Sequence, residues 1–205
     1  SESFSQKNTN VSIAESLIRL NEVARQAKTD GVKLRGYVSC ALGCPFEGAI
    51  DPVAVLHVSE ALAAMGCDEI SIGDTIGKGT LLTTERLFNT LLKQHPAHTL
   101  AAHFHDTYGQ ALANLTIAVN MGVRTIDAST GGLGGCPYAP RATGNVATED
   151  VLVMLHGAGY ETGIDFEKIA AVGAWINKAL GRDNASRAGK ALCGLSSSKL
   201  PSCGS

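Results

Sequence analysis

Four short apolar segments, each followed by a helical pattern, constrain the fold of this chain more than any other feature. The segments begin near residues 32, 69, 99 and 124. Their alternation with helices predicts a parallel sheet, because parallel neighbours need long crossover connections. Such a sheet is either open and doubly wound or closed into a barrel, and both forms carry their chemistry at the carboxyl ends of the strands. The predicted fold class is therefore α/β.

Helix signals accompany these segments. Ser12 and Glu15 form a capping-box pattern before a periodic run, and Pro52 stands at the first position of another helix. From about Arg182 the sequence is rich in Ser, Gly and Lys, which predicts a poorly packed tail. We therefore predict a domain over 1–181 and a tail over 182–205. The predicted helices cover residues 13–27, 52–65, 81–93, 110–121, 147–156 and 166–180.

Composition narrows the function classes. The 205 residues carry a net charge of -2, with the charges scattered, so no basic stripe predicts a nucleic-acid partner. No apolar run approaches the roughly 20 residues that a membrane span needs. The six cysteines are spread through the chain and form neither a dense disulfide framework nor a complete zinc pattern, which predicts a reducing compartment.

The segment His103-Phe104-His105 is the strongest local signal of chemistry. On a strand, residues two apart point to the same side, so His103 and His105 can face one metal ion while Phe104 points the other way. Two hydrogen-bonded core histidines would give the same pattern. The residues alone leave these two interpretations evenly matched.

A second signal is the glycine-rich loop around Cys136, which follows the last strand. Glycines allow a backbone to approach a ligand closely, and a thiol beside a metal or cation can reach a pKa suited to proton transfer. Asn145 follows this loop and either caps the next helix or offers its carboxamide oxygen to a hard ion. Asp74 follows the second strand and either forms an Asx-turn or faces a substrate.

Together these motifs resemble the 3-hydroxy-3-methylglutaryl-CoA lyase family. The resemblance implies a (β/α)8 barrel, a divalent cation (Mg2+ or Mn2+), and cleavage of this acyl-CoA to acetyl-CoA and acetoacetate. It implies that His103, His105 and Asn145 bind the metal, that Cys136 transfers a proton, and that Asp74 is an active-site acid. It also implies a homodimer in the bacterial cytoplasm or the mitochondrial matrix. The segments that carry it are 36–48, 73–77, 103–114, 132–138 and 144–150.

The chain also departs from this family. A barrel needs eight strands, and the sequence shows four, which the resemblance implies are strands five to eight. The family's aspartate ligand and essential arginine have no counterpart here, so we expect this chain alone to be inactive or nearly so. Two alternatives stay open: a non-catalytic or oligomerisation fragment, and a Claisen-condensing acyl-CoA synthase of the same superfamily. The glycine loop containing Cys136 speaks against the synthase.

Overall fold

The computed structural model describes residues 1–135 and 144–197. It divides into two compact units, one from Ser1 to Asp127 and one from Ala128 onward. This division was not predicted from the sequence. In the described ranges, no helix is both long and apolar enough to cross a membrane.

The first unit is a parallel sheet with helices between its strands. The four strands pair in the order β1-β2-β3-β4, and every pair is parallel, which confirms the predicted class. The strands are β1 (Arg35–Val38), β2 (Glu69–Asp74), β3 (Leu100–Phe104) and β4 (Thr125–Asp127). The helices are α1 (Glu2–Thr9), α2 (Ile13–Thr29), α3 (Pro52–Ala64), α4 (Leu81–Leu91) and α5 (Ala111–Asn120).

Local sequence explains where these helices begin. Helix α2 starts with the predicted capping box, because Glu15 N donates to Ser12 Oγ at 3.2 Å and Ser12 N donates to Glu15 Oε2 at 2.9 Å. Helix α3 has Asp51 at its N-cap and Pro52 in its first turn. Helix α1 was not predicted, since its mostly polar sequence buries only Phe4.

The sheet has one apolar face and one polar face. Gly36 faces helix α3, since a Cβ atom on it would lie 3.0 Å from Leu62 Cδ1. Phe104 is 1% exposed, and its ring lies 6.4 Å from that of Phe88 on α4. Alternation along each strand then places Arg35, Glu69, Ser71, His103 and Asp127 on the opposite face. Apart from Asp74 at the end of β2, the polar residues of the four strands therefore share one side of the sheet.

The second unit is helical, with α6 (Thr148–Gly157), α7 (Phe166–Ala179) and α8 (Arg187–Ser197). Helix α8 lies within the stretch from Arg182 that was predicted to be a poorly packed tail, and residues 198–205 of that stretch lie outside the described residues. Asp150 of α6 anchors the start of α8, because the carboxylate accepts hydrogen bonds from Ser186 Oγ at 2.8 Å and from Ala188 N at 2.7 Å. This contact joins residues 36 and 38 positions apart, which local sequence patterns cannot reveal.

Candidate functional site

His103 and His105 lie together at the carboxyl end of β3. Their ring centroids are 5.5 Å apart, and both rings line a cavity of about 140 Å³ on the polar side of the sheet. Phe104 between them points into the helices, as the alternation predicted. The other lining residues are Tyr37, Val38, Ser39, Ser71, Gly73 and Thr75. The structure thus brings the two predicted metal ligands to one small, partly enclosed space.

The environment of His105 favours the neutral imidazole that a metal ligand needs. Burial lowers the pKa of His105, the neighbouring His103 lowers it further, and the backbone of Thr75 acts in the opposite direction. Its Nδ1 atom is buried and makes no hydrogen bond of good geometry. A buried nitrogen in this state is costly unless another partner satisfies it, and a metal ion is such a partner.

Asp127 connects the site to a charged network that the sequence reasoning missed. Its Oδ2 lies 3.1 Å from His103 Nδ1 and 3.0 Å from Ser71 Oγ, and its Oδ1 lies 2.8 Å from Arg35 Nη2. Arg35 Nε also forms an ion pair with Glu69 Oε2 at 2.7 Å. Burial acts to raise the pKa of Asp127, but the hydrogen bonds from His103, Arg35 and Ser71 outweigh it and hold this pKa at about 2.

The signal for Asp127 was present in the sequence but needed the strand register. Asp127 is visible near the end of the last predicted strand, and Arg35 lies within the first. Only the pairing of His103 with Asp127 across β3 and β4 shows that these residues meet. Register between parallel strands depends on long-range packing, so the residues alone did not supply it.

Asp74 lies on the other face of the sheet from His103. Its carboxylate is 1% exposed and accepts hydrogen bonds from Lys78 N at 3.1 Å and Gly79 N at 2.8 Å. Burial raises the pKa of Asp74 to about 6, although the amides of Gly79, Lys78 and Gly77 act to lower it. These bonds come from amides four and five residues ahead, so they close the loop after β2 but are not the bond from the second residue ahead that defines an Asx-turn. The role of Asp74 as an active-site acid stays a prediction.

Asn145 belongs to the second unit, and its local structure corrects one interpretation. Helix α6 has Ala147 at its N-cap, so Asn145 does not cap it. Instead, Asn145 Nδ2 donates to the carbonyl oxygen of Leu133 at 3.0 Å. This bond uses the nitrogen end of the carboxamide and not its oxygen, which is the metal-binding atom of the prediction. Cys136, the predicted proton-transfer residue, lies outside the described residues.

Gly134 is one of the positions in the glycine-rich segment that have no room for a side chain. A Cβ atom there would lie 2.6 Å from Asn145 Nδ2, and its φ of 101° is one that L-residues rarely adopt. We expect Gly134→Ala to lower the free energy of unfolding by about 1–3 kcal/mol. Urea denaturation measures this loss, and the NMR signals of the Asn145 side-chain amide should shift with it.

Gly135→Ala is the matched control for this prediction. Among the described residues, nothing lies within 4 Å of a Cβ atom placed at Gly135, and its φ is not in the left-handed region. The control should change the stability by no more than about 0.5 kcal/mol. Equal effects of the two substitutions would contradict the steric argument.

Among the residues that the structure describes, no group of three or more His, Cys, Asp and Glu side chains is placed to hold a metal ion. His103 and His105 each provide one imidazole as a possible metal ligand, and the Nδ1 atom of His105 is buried without a hydrogen-bond partner. Imidazole nitrogens are common ligands of divalent transition ions. The two imidazoles therefore fit two positions of a metal site, whose other ligands would have to be amide oxygens, water, substrate or residues outside the described ranges.

Comparison with known proteins identifies the family. The HMGL-like family model matches residues 1–176 of this chain. The chain belongs to the HMGL-like family. It is 54% identical over 196 residues to the hydroxymethylglutaryl-CoA lyase of Pseudomonas mevalonii, covering 96% of this chain and 65% of that protein. The resemblance stated from the sequence motifs is therefore confirmed.

Solved structures of the HMGL-like family show the same fold. The crystal structure of the lyase from Pseudomonas aeruginosa matches with a TM-score of 0.93 and 50% identity, covering 95% of this chain and 65% of that one. The lyase from Acinetobacter baumannii, solved in complex with coenzyme A and 3-methylmalate, matches with a TM-score of 0.86 and 30% identity. That match covers 100% of this chain and 65% of the other. The chain thus spans about two thirds of the length of these relatives, and its four strands form part of their barrel.

Proposed function

We propose that this chain forms part of a divalent-metal-dependent lyase that cleaves 3-hydroxy-3-methylglutaryl-CoA to acetyl-CoA and acetoacetate. The observation that carries the proposal is the pair His103 and His105, which share a cavity on the polar face of a sheet with this family's fold. The 54% identity to a curated lyase supports the substrate.

The reaction defines what the residues must do. The bond between C2 and C3 of the substrate breaks, and its electron pair forms the enolate of acetyl-CoA. The tertiary hydroxyl passes its proton to a general base and becomes the ketone of acetoacetate. His103 and His105, together with Asn145 as the family resemblance implies, would hold a divalent cation (Mg2+ or Mn2+), which when bound would polarise the hydroxyl as a Lewis acid. The neutral state that burial favours for His105 suits this binding, because a protonated ring has no lone pair.

Proton transfer is the second requirement. We propose that the Cys136 thiol protonates the enolate, since the glycine-rich loop around it allows a close approach to the substrate. The Asp74 carboxylate stabilises the loop after β2 by accepting hydrogen bonds from the backbone amides of Lys78 and Gly79. To act as an active-site acid, as we also propose, Asp74 must in addition contact the substrate.

The proposal predicts metal-dependent release of acetoacetate. We would fuse the upstream third of the Pseudomonas mevalonii lyase to this chain and supply the acyl-CoA with Mg2+ or Mn2+. We expect turnover by the fusion and little or none by the chain alone. Cys136→Ala should lower kcat at least about 100-fold, because general acid catalysis contributes this much.

Cys67→Ala is the control, because Cys67 lies in the turn between α3 and β2 and not in the candidate site. It should leave kcat within about twofold. A folded fusion without turnover would refute the proposed lyase activity. Full activity after loss of Cys136 would refute its proposed role in proton transfer. Condensation of acetyl-CoA with a 2-oxo acid would instead identify a synthase. Size-exclusion chromatography of the active fusion tests the proposed homodimer.

A further inference from the structure

We propose that Asp127 is a positioning residue that fixes the tautomer of His103, placing the proton on Nδ1 and the free lone pair on Nε2. The inference rests on the proposed function for its consequence, because His103 is there a metal ligand. The tautomer itself follows from contacts within the first unit, which are independent of any bound ion.

The carboxylate of Asp127 can only accept hydrogen bonds at this place. Its Oδ1 accepts a hydrogen bond from Arg35 Nη2 at 2.8 Å, and its Oδ2 accepts one from Ser71 Oγ at 3.0 Å. A guanidinium has donors and no acceptors, so its partner is held as an ionised carboxylate. The contact of 3.1 Å between Asp127 Oδ2 and His103 Nδ1 therefore requires the proton to sit on the histidine nitrogen.

The remaining nitrogen of His103 follows from this assignment. A neutral imidazole carries one proton, so Nε2 has the lone pair and lies on the ring edge away from Nδ1. His103 also lines the cavity that it shares with His105. A carboxylate that orients a metal-binding histidine in this way also raises the basicity of the ring, and its removal typically costs 10–100-fold in metal affinity.

Arg35 and Glu69 hold Asp127 in place from the other end of the network. Arg35 Nε pairs with Glu69 Oε2 at 2.7 Å, and Arg35 Nη1 donates to the hydroxyl of Tyr37 at 3.0 Å. Within the part of the chain that the structure describes, Glu69 is linked to Asp127 through Arg35 and makes no hydrogen bond or ion pair with His103. Glu69→Gln therefore disturbs the same network and leaves the bond between Asp127 and His103 intact, which makes it the matched control.

The ring nitrogens can be observed directly by NMR of the chain labelled with 15N-histidine. The chain has six histidines, and loss of one signal set in His103→Gln assigns this ring. When the ring is neutral, we expect His103 to show a protonated Nδ1 and an unprotonated Nε2. In Asp127→Asn the amide NH2 can face His103, which turns Nδ1 into an acceptor and moves the proton to Nε2. Glu69→Gln should keep the original tautomer.

Titration with Mn2+ gives a second readout that needs no turnover. We expect Mn2+ to broaden the His103 and His105 ring signals, and Asp127→Asn to require about tenfold more Mn2+ for the same broadening. The circular dichroism of each variant verifies that it is folded. In Glu69→Gln the His103 and His105 ring signals should broaden at the same Mn2+ concentration as in the parent chain.

The outcomes separate the inference from the proposed function. A parent chain with the proton on Nε2, or an Asp127→Asn variant with an unchanged tautomer, would overturn the positioning role. The expected tautomers without broadening by Mn2+ in any variant would support the positioning role and count against His103 and His105 as metal ligands. The expected tautomers with a tenfold weaker Mn2+ response would support both.

Discussion

Glu149→Ala is expected to lower the free energy of unfolding by about 3 kcal/mol. The substitution removes the hydrogen-bond acceptor of a buried amide and leaves a cavity where the side chain was. Glu149 of α6 is fully buried, and its two carboxylate oxygens accept from Gly131 N at 3.0 Å and 2.9 Å. A Cβ atom on Gly173 of α7 would overlap Oε1 of the same carboxylate. The carboxylate thus fills the space between α7 and the turn that starts the glycine-rich segment.

Urea denaturation followed by circular dichroism and by fluorescence of Trp175 measures this loss. Trp175 is the single tryptophan of the chain and lies on α7. Glu149→Gln keeps the side-chain volume and one acceptor oxygen, so it should retain most of the stability. Glu167→Ala removes an exposed first-turn acid of α7 and should cost less than about 0.5 kcal/mol. A loss below about 1 kcal/mol in Glu149→Ala would show that the contact is dispensable.

Asp74→Ala is expected to have an effect of similar size in the first unit. The substitution removes the acceptor of the Lys78 and Gly79 amides beneath a buried turn. Asn114 is fully buried and donates to the carbonyl oxygen of Gly79 at 2.8 Å, so the turn is also linked to α5. Loss of both acceptor contacts should cost about 3 kcal/mol, because each buried unsatisfied amide costs about 1–3 kcal/mol.

The pH dependence gives Asp74 a distinct signature. Burial raises its folded pKa to about 6, above the value of about 4 in an unfolded chain. The folded state therefore binds more protons between these values, so the contribution of Asp74 to stability is fully present below pH 4 and declines as pH rises to 6. In Asp74→Asn this decline is absent. The stability advantage of the parent chain over Asp74→Asn should thus be largest near pH 4.

Paired urea denaturation of the two proteins from pH 4 to pH 7 tests this sign. The difference between them isolates Asp74 from the other carboxyl groups that titrate in the same range. Asp51→Asn is a control, because Asp51 is an exposed carboxyl group at the N-cap of α3. A parent advantage that grows towards pH 7 would refute the assignment of a raised pKa.

Much of the fold was predictable because its signals are local. The strand starting at Glu69 and the helices after Asp51 and Asp165 begin where their residues indicate. Helix α1 and helix α8 were missed for different reasons. Helix α1 has few apolar residues, and α8 has a Ser- and Gly-rich sequence that Asp150 stabilises from far along the chain.

The candidate site was predicted in part. Alternation alone placed His103 and His105 on one side of their strand, and the structure confirms this. Arg35 and Asp127 were not singled out, since an ion pair across 92 positions depends on how the strands pair. Asp74 and Asn145 each had a local interpretation. Asp74 accepts from amides further along its loop than an Asx-turn requires, and Asn145 does not cap helix α6.

The chain of contacts from Glu69 through Arg35 and Asp127 to His103 joins side chains on all four strands. Each charge in it is compensated by its neighbours, so replacing one of them leaves another uncompensated in a partly buried place. Substitutions at 35, 69 and 127 should therefore be strongly epistatic. During evolution these three positions are expected to change together, and sequences in which only one has changed should be rare.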